Sequence, residues 1–342
     1  VSASVAPSPT PALPAEEEMR QETAAPVQVV QIDSLTAFGL GCASMLLVLL
    51  LAAGATALVR RLRRSRRARM CGRTVELEPP APTPVPRGAW TLCVGRVHEQ
   101  GARKYQQDSF ALSAESTWQE RGLLAVVADG MGGLSDGDLV SQTAAAAMQE
   151  AFLTVQGTPE QVLLQCLARA NAAVNRLLGP EGLGRSGTTL LAGLIREGRL
   201  SLLSVGDSRA ALLRDGALLP LNREHVYREE LALDAVNGAG SVQAAWTHPQ
   251  AGGLTSYLGM GRLRYIDLPA QPLELRAGDR LLLMSDGVYN ALTPEEIRAA
   301  LALPAEAAAD ALRSAIQEKN YPTQDNYTAI LLEMRPAAEA GA

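Results

Sequence analysis

Three apolar runs in this chain close on the same residue type. LLAVVAD ends at Asp129, LSLLSVGD at Asp207 and RLLLMSD at Asp286. Each has the length of a buried strand, about four to eight apolar residues bounded by a turn signal. Asp325 opens a further run, DNYTAILLEM, and Asp108 precedes a shorter one in YQQDSFAL. A fold that accommodates these runs either scatters five carboxylates over separate turns or gathers them along one rim.

For any one of them the turn is the simpler reading, because Asp-Gly is a common hairpin signal. Asp215-Gly216 fits it well, with strand-like sequence on both sides. Asp286-Gly287 instead leads into VYNALTPEEI, a path into a helix, and Asp129 is followed by further glycines in ADGMGG. Taken together the set reads as a metal site. Clustered carboxylates repel one another unless a cation neutralises them. Mg²⁺ and Mn²⁺ are hard cations that take oxygen ligands and retain several waters. Two such ions about 3.5–4 Å apart can share a carboxylate and prime a water near neutral pH.

The spacing of the runs predicts the fold class. RLSLLSVGDSRAALLRDGALLPL joins strand signals directly through hairpins, which favours antiparallel pairing over repeated βαβ units. Helical patterns occupy about 139–152 and 160–178, then 294–303 and 304–318. The expected architecture is α+β, a four-layer α-β-β-α sandwich of two antiparallel sheets flanked by helices.

A second feature lies upstream. TAFGLGCASMLLVLLLAAGATALV, residues 36–59, contains no charged side chain. At about 1.5 Å per residue, a helix of that length covers the roughly 30 Å hydrocarbon core of a bilayer. RRLRRSRRAR follows it, with seven arginines from Arg60 to Arg69, whereas the preceding segment is mostly acidic. The positive-inside rule therefore places the C-terminal side in the cytoplasm. A cleavable secretory signal carries its positive charge before the apolar region, so the segment reads as an anchor. The expected organisation is a disordered extracytoplasmic Pro/Glu segment over 1–35, a transmembrane helix over 36–59, and a stop-transfer and proline-rich linker over 60–88. A folded domain then covers 89–334, and a flexible tail 335–342.

Charge and cysteine content narrow the function classes. Setting aside the arginine cluster leaves 24 basic against 36 acidic side chains, a net of −12. That balance argues against nucleic acid as a partner. Cys42, Cys71, Cys93 and Cys166 form no CxxC pair and have no nearby histidine, so neither zinc nor a disulfide framework is indicated. His98, His225 and His248 lie in no nucleophile motif and read as structural.

In order along the chain, GARKYQQDSF, VVADGMGG, SGTTLLAGLI, LLSVGDSRAALLRDG, LTSYLGM, LLLMSDGVYNAL and DNYTAILL resemble the motifs of the metal-dependent protein phosphatases, the PPM or type 2C family. DGMGG resembles its bacterial branch. The resemblance implies hydrolysis of phosphoserine and phosphothreonine with two Mn²⁺ or Mg²⁺ ions. It implies that Asp129 bridges both ions, with the Gly130 carbonyl on one of them. Asp286 and Asp325 would ligate the other, Asp108 would hold or hydrogen-bond water at the centre, and Asp207 would serve a weaker third site. Arg103 would clasp the substrate phosphate, as a guanidinium fork suits two oxygens. The stretch 224–257 corresponds to the family's flap, and such loops often govern substrate choice.

Several positions depart from the family pattern. Gln107 stands where a glutamate ligand is common, removing one negative charge. Met131 replaces a histidine of eukaryotic members, Leu134 one found in many bacterial members, and Asn290 an aspartate for the third metal. The expected function is a membrane-anchored Ser/Thr phosphatase that opposes a bacterial Ser/Thr kinase and acts on phosphorylated proteins. A catalytically silent phosphoprotein-binding module and a phosphatase dedicated to one regulator are the alternatives.

Overall fold

In the computed structural model, residues 90–132 and 136–336 are described. The expected N-terminal segment, transmembrane helix, arginine cluster and proline-rich linker lie outside them, as do Leu134 and residues 337–342 of the tail. Among the described residues, no helix is long and apolar enough to cross a membrane.

Strands β1 (Trp90–Glu99), β11 (Tyr327–Pro336), β10 (Arg280–Met284), β7 (Arg209–Arg214) and β8 (Ala217–Pro220) form one sheet in that order. The second sheet runs β2 (Asp108–Leu112), β3 (Leu123–Met131), β5 (Leu190–Arg196), β6 (Arg199–Val205) and β9 (Leu273–Glu274), with β4 (Gly187–Thr188) beside β3. Every pair in the two sheets is antiparallel. The tight β6–β7 and β7–β8 connections account for this, and the Asp215-Gly216 turn has both residues at positive φ, 50° and 77°.

The runs are apolar on both faces because both faces are covered. Leu123, Ala125 and Val127 of β3 pack with Leu281, Leu283, Ile330 and Leu332 between the sheets. Leu124, Val126 and Ala128 point the other way, onto helices α1 (Asp136–Thr154) and α2 (Pro159–Gly182). On the far side, Leu282, Met284, Ala329 and Leu331 meet α4 (Pro294–Leu301) and α5 (Ala305–Lys319). The layers are thus α-β-β-α. Capping boxes open two of the helices. Thr158 with Gln161 starts α2 and Thr293 with Glu296 starts α4, each with proline at the first turn, where its missing N–H costs nothing.

Strand β1 carried no clear apolar-run signal. It is an edge strand whose ten residues pair with β11 from Trp90↔Pro336 to Glu99↔Tyr327. Gly95 within it is required because a Cβ there would strike the Ala305 carbonyl at the start of α5. Two further differences concern function. Asp325 lies in the loop before β11, which starts at Tyr327. The 224–257 stretch, weak in periodicity, holds helix α3 (Tyr227–Val236) and a short helix, Val242–Thr247.

Candidate metal centre

The site grows from one strand pair. Asp108 opens β2 directly opposite Asp129 of β3. Residues paired this way point to the same face, with Cβ atoms about 4.5–5.5 Å apart. The Asp129 backbone is locked in place. Its amide donates to Thr189 Oγ1 at 3.0 Å, and its carbonyl accepts from the Thr189 amide at 2.9 Å and Thr188 Oγ1 at 3.0 Å. Gly130 follows, where a side chain would collide with the carbonyls of Gly137 and Gln107.

Asp286 and Asp325 arrive from the other sheet. Asp286 opens the short helix Asp286–Tyr289 just after β10. Ser285 beside it is fully buried and joins the sheets at the rim. Its Oγ donates to Asp108 Oδ2 at 2.7 Å and accepts from the Thr328 amide at 2.9 Å. Asp325 Oδ1 accepts from the Asn326 amide at 2.8 Å, and Oδ2 accepts from Arg103 Nη2 at 2.5 Å. Asp207 lies in the β6–β7 connection, its carbonyl accepting from the Tyr289 hydroxyl at 3.2 Å.

Burial and mutual repulsion set the electrostatics. Burial pushes the Asp108 carboxyl up to about 7, the charges of Asp286 and Asp325 add to this, and Ser285 and Thr328 offset part of it. Asp207 is likewise raised to about 7 by burial and then by Asp286. Asp129 is raised well above the carboxylate range by burial, then by Asp108, Asp286, Asp207 and Asp325. Asp286 is raised by burial and by Asp325, while a hydrogen bond with Asp129 and the Arg103 charge oppose the shift. The five acids expected from the sequence are therefore electrostatic neighbours. Among the described residues no three His, Cys, Asp or Glu side chains are drawn in to the spacing of a closed ligand shell. Asp325 is turned onto Arg103 instead. The donor set fits hard divalent cations: it is all oxygen, half-buried or buried, and carries a repulsion that such ions relieve.

The departing positions have local partners. Gln107 donates from its amide nitrogen to the Gly132 carbonyl at 3.3 Å. Asn290 Nδ2 donates to Asp286 Oδ2 at 3.2 Å. His98 Nδ1 is 2.9 Å from Thr328 Oγ1, His225 Nδ1 accepts from the Gly206 amide at 3.1 Å, and His248 Nδ1 accepts from the Gln250 amide at 3.1 Å.

Sequence reasoning passed over Ser285, Thr328, Thr189 and Asn326. Asn326 is 4% exposed and spans the loop that carries Arg103, donating to the carbonyls of Gln100 (2.7 Å) and Tyr105 (2.9 Å) and accepting from the Gln107 amide (2.8 Å). A signal existed: a polar side chain at the head of a buried strand must find partners.

The two-sheet sandwich with its acidic rim defines the architecture, and sequence likeness names the family. The Protein phosphatase 2C family matches residues 94–319, more than half of the chain, and the chain belongs to that family. It is 34% identical to the serine/threonine protein phosphatase PstP of Mycobacterium tuberculosis over 183 residues, 53% of this chain and 34% of that protein. The chain thus spans about a third of that relative's length. It is 29% identical to the serine/threonine phosphatase stp of Listeria monocytogenes over 216 residues, 61% of this chain and 84% of that one. Among solved structures, the catalytic domain of PstP in complex with two manganese ions aligns with a TM-score of 0.57 at 28% identity, covering 71% of this chain and 98% of that one.

Proposed function

We propose that this chain is a Mn²⁺- or Mg²⁺-dependent protein serine/threonine phosphatase acting on phosphoserine and phosphothreonine. The observation that carries the reading is the in-register pairing of Asp108 with Asp129 at a rim that Asp286, Asp325 and Asp207 also reach. The manganese-bound relative and the family membership support it.

On this reading Asp129 would hold both ions, the Gly130 carbonyl would be open to one of them, and Asp286 and Asp325 would hold the other. When bound, the ions neutralise the carboxylates and activate water for attack on phosphorus. Asp108, oriented by Ser285, would hold or hydrogen-bond water at the centre. Arg103 turns from Asp325 to grip two phosphoryl oxygens through its fork of N–H groups. Asp207 serves a weaker third position, for which Asn290 supplies no charge.

The test is turnover of p-nitrophenyl phosphate and of a phosphothreonine peptide by the full chain in detergent with Mn²⁺, and its loss with EDTA and in Asp129→Ala. No turnover by folded parent protein with Mn²⁺ or Mg²⁺ would favour the silent phosphoprotein-binding module.

From sequence alone we further infer a single-pass anchor at 36–59 in a bacterial cytoplasmic membrane, with the phosphatase domain in the cytoplasm opposing a Ser/Thr kinase. Uniform apolarity and the arginine cluster support this topology. Protease added outside intact cells should leave the phosphatase domain uncut. Cleavage inside it from that side would reverse the orientation.

A further inference from the structure

A cleft of about 550 Å³, outside the metal centre, opens between the 224–257 stretch and the segment that follows it. One wall is the segment Arg264–Asp267, which is fixed to the sheet. Buried Ser256 Oγ donates to the Tyr265 carbonyl at 2.7 Å and accepts from its amide at 3.1 Å. Asp267 exchanges two backbone hydrogen bonds with Ser204 of β6, at 2.9 and 3.0 Å. The opposite wall is α3, a helix with no buried residue.

The chemistry of the lining is apolar between matched charges. Leu233 of α3 is 60% exposed, facing a cleft shared with Tyr265 (42%) and Ile266 (44%). The ionic groups along it are already partnered: Arg223 with Glu229 at 3.1 Å, and Arg264 with Glu230 at 3.0 Å. Of the other lining acids, Glu224 pairs with Arg209 and Arg228 and the Asp267 carboxylate accepts the Arg223 amide at 2.8 Å, while three large apolar side chains stay in contact with water. The exposed apolar surface of these three side chains favours contact with an apolar group.

One end of the cleft lies beside the turn that carries Asp207. His225 lines it and exchanges hydrogen bonds with Gly206, donating its amide to the Gly206 carbonyl at 2.8 Å and accepting the Gly206 amide at Nδ1. Gly206 immediately precedes Asp207. Glu224 also lines the cleft, and its charge contributes to the raised Asp207 carboxyl. An extended polypeptide advances about 3.3 Å per residue. A chain laid across the rim therefore brings residues a few positions from its phosphorylated side chain to this opening.

We propose that the cleft seats an aliphatic or aromatic side chain of the phosphoprotein substrate, close in sequence to the phosphorylated residue. This deepens, and rests on, the phosphatase reading above. The test walks a single Leu through the four positions on each side of phosphothreonine in an otherwise Ala peptide. The full chain is compared with Leu233→Asp and Ile266→Asp. The parent should favour Leu over Ala at one or two positions by roughly tenfold in kcat/KM, the scale of an apolar pocket contact. Both variants should erase that preference, and the ratio of Leu-peptide to p-nitrophenyl phosphate turnover should fall by the same factor. Equal use of all peptides by the parent, or a preference that survives both substitutions, overturns the proposal. If the parent turns over neither substrate, the phosphatase reading has failed, and fluorescence anisotropy of the labelled peptides still decides the cleft. Tighter Leu-peptide binding by parent than by variants supports it, and equal binding overturns it.

Discussion

Arg103 and Asp325 are bound to each other, with Nη2 2.5 Å from Oδ2 across 222 residues of sequence. Arg103 is 57% exposed and Asp325 35%, so the pair is reached by solvent and adds little to stability. Its significance is competitive. The guanidinium proposed to bind phosphate occupies a carboxylate proposed to bind metal, so filling one role frees the other.

Arg103→Ala removes both the phosphate clasp and the competitor for Asp325. KM for p-nitrophenyl phosphate should rise by about tenfold or more, the scale of a lost charge-assisted hydrogen bond. Mn²⁺ affinity, read by calorimetry, should stay the same or tighten. Weaker Mn²⁺ binding with unchanged KM would reverse these roles.

Metal binding and pH should be linked. In the metal-free protein Asp108 and Asp207 are pushed up to about 7, against about 4 for an unfolded aspartate. A raised pKa means the folded state prefers the protonated form. The stability this contributes is complete below about pH 4 and lost as pH rises through about 7. Thermal melts without metal should therefore show Tm falling between pH 5 and 8. Mn²⁺ should raise Tm more at pH 8 than at pH 5, because at the lower pH it must displace protons. A metal-free Tm that is flat or rising over that range would contradict the crowding of these carboxylates.

Ser285→Ala should destabilise the folded domain by about 1–3 kcal/mol. It strands the buried Thr328 amide and removes the donor to Asp108. Denaturant melts in EDTA give the stability term. In Mn²⁺ the same variant should show a lower kcat with KM little changed, since Ser285 orients Asp108 and touches no substrate. A fall confined to KM would argue against that positioning role.

The two described cysteines should differ in reactivity. Burial pushes the Cys166 thiol up to about 11, and burial also raises that of Cys93, which is only half-buried on the edge strand β1. Thiolates are the reactive form. Maleimide at pH 8 should modify Cys93 slowly and leave Cys166 untouched until denaturant is added, as read by peptide mass spectrometry. Rapid labelling of Cys166 in native protein would show that the packing of α2 against the sheet is loose.

How much of this was legible beforehand follows from how local each feature is. Apolar runs, Asp-Gly turns and Thr-Pro helix starts are set by neighbours within a few residues. Strands β3, β5, β6, β7, β10 and β11 and the paired helices could therefore be read directly. Strand β1 could not, because its place depends on β11, more than two hundred residues away. The residue types at Asp108, Asp129, Asp207, Asp286 and Asp325 were visible as a repeated pattern. What no pattern of neighbours encodes is that Ser285 links Asp108 to Thr328, that Asn326 staples the Arg103 loop, or that Arg103 lies on Asp325. Linear order determined which side chains could take part. Only the stacking of two sheets decided which of them meet, since a hydrogen bond or a carboxylate repulsion acts over a few ångströms of space regardless of separation along the chain.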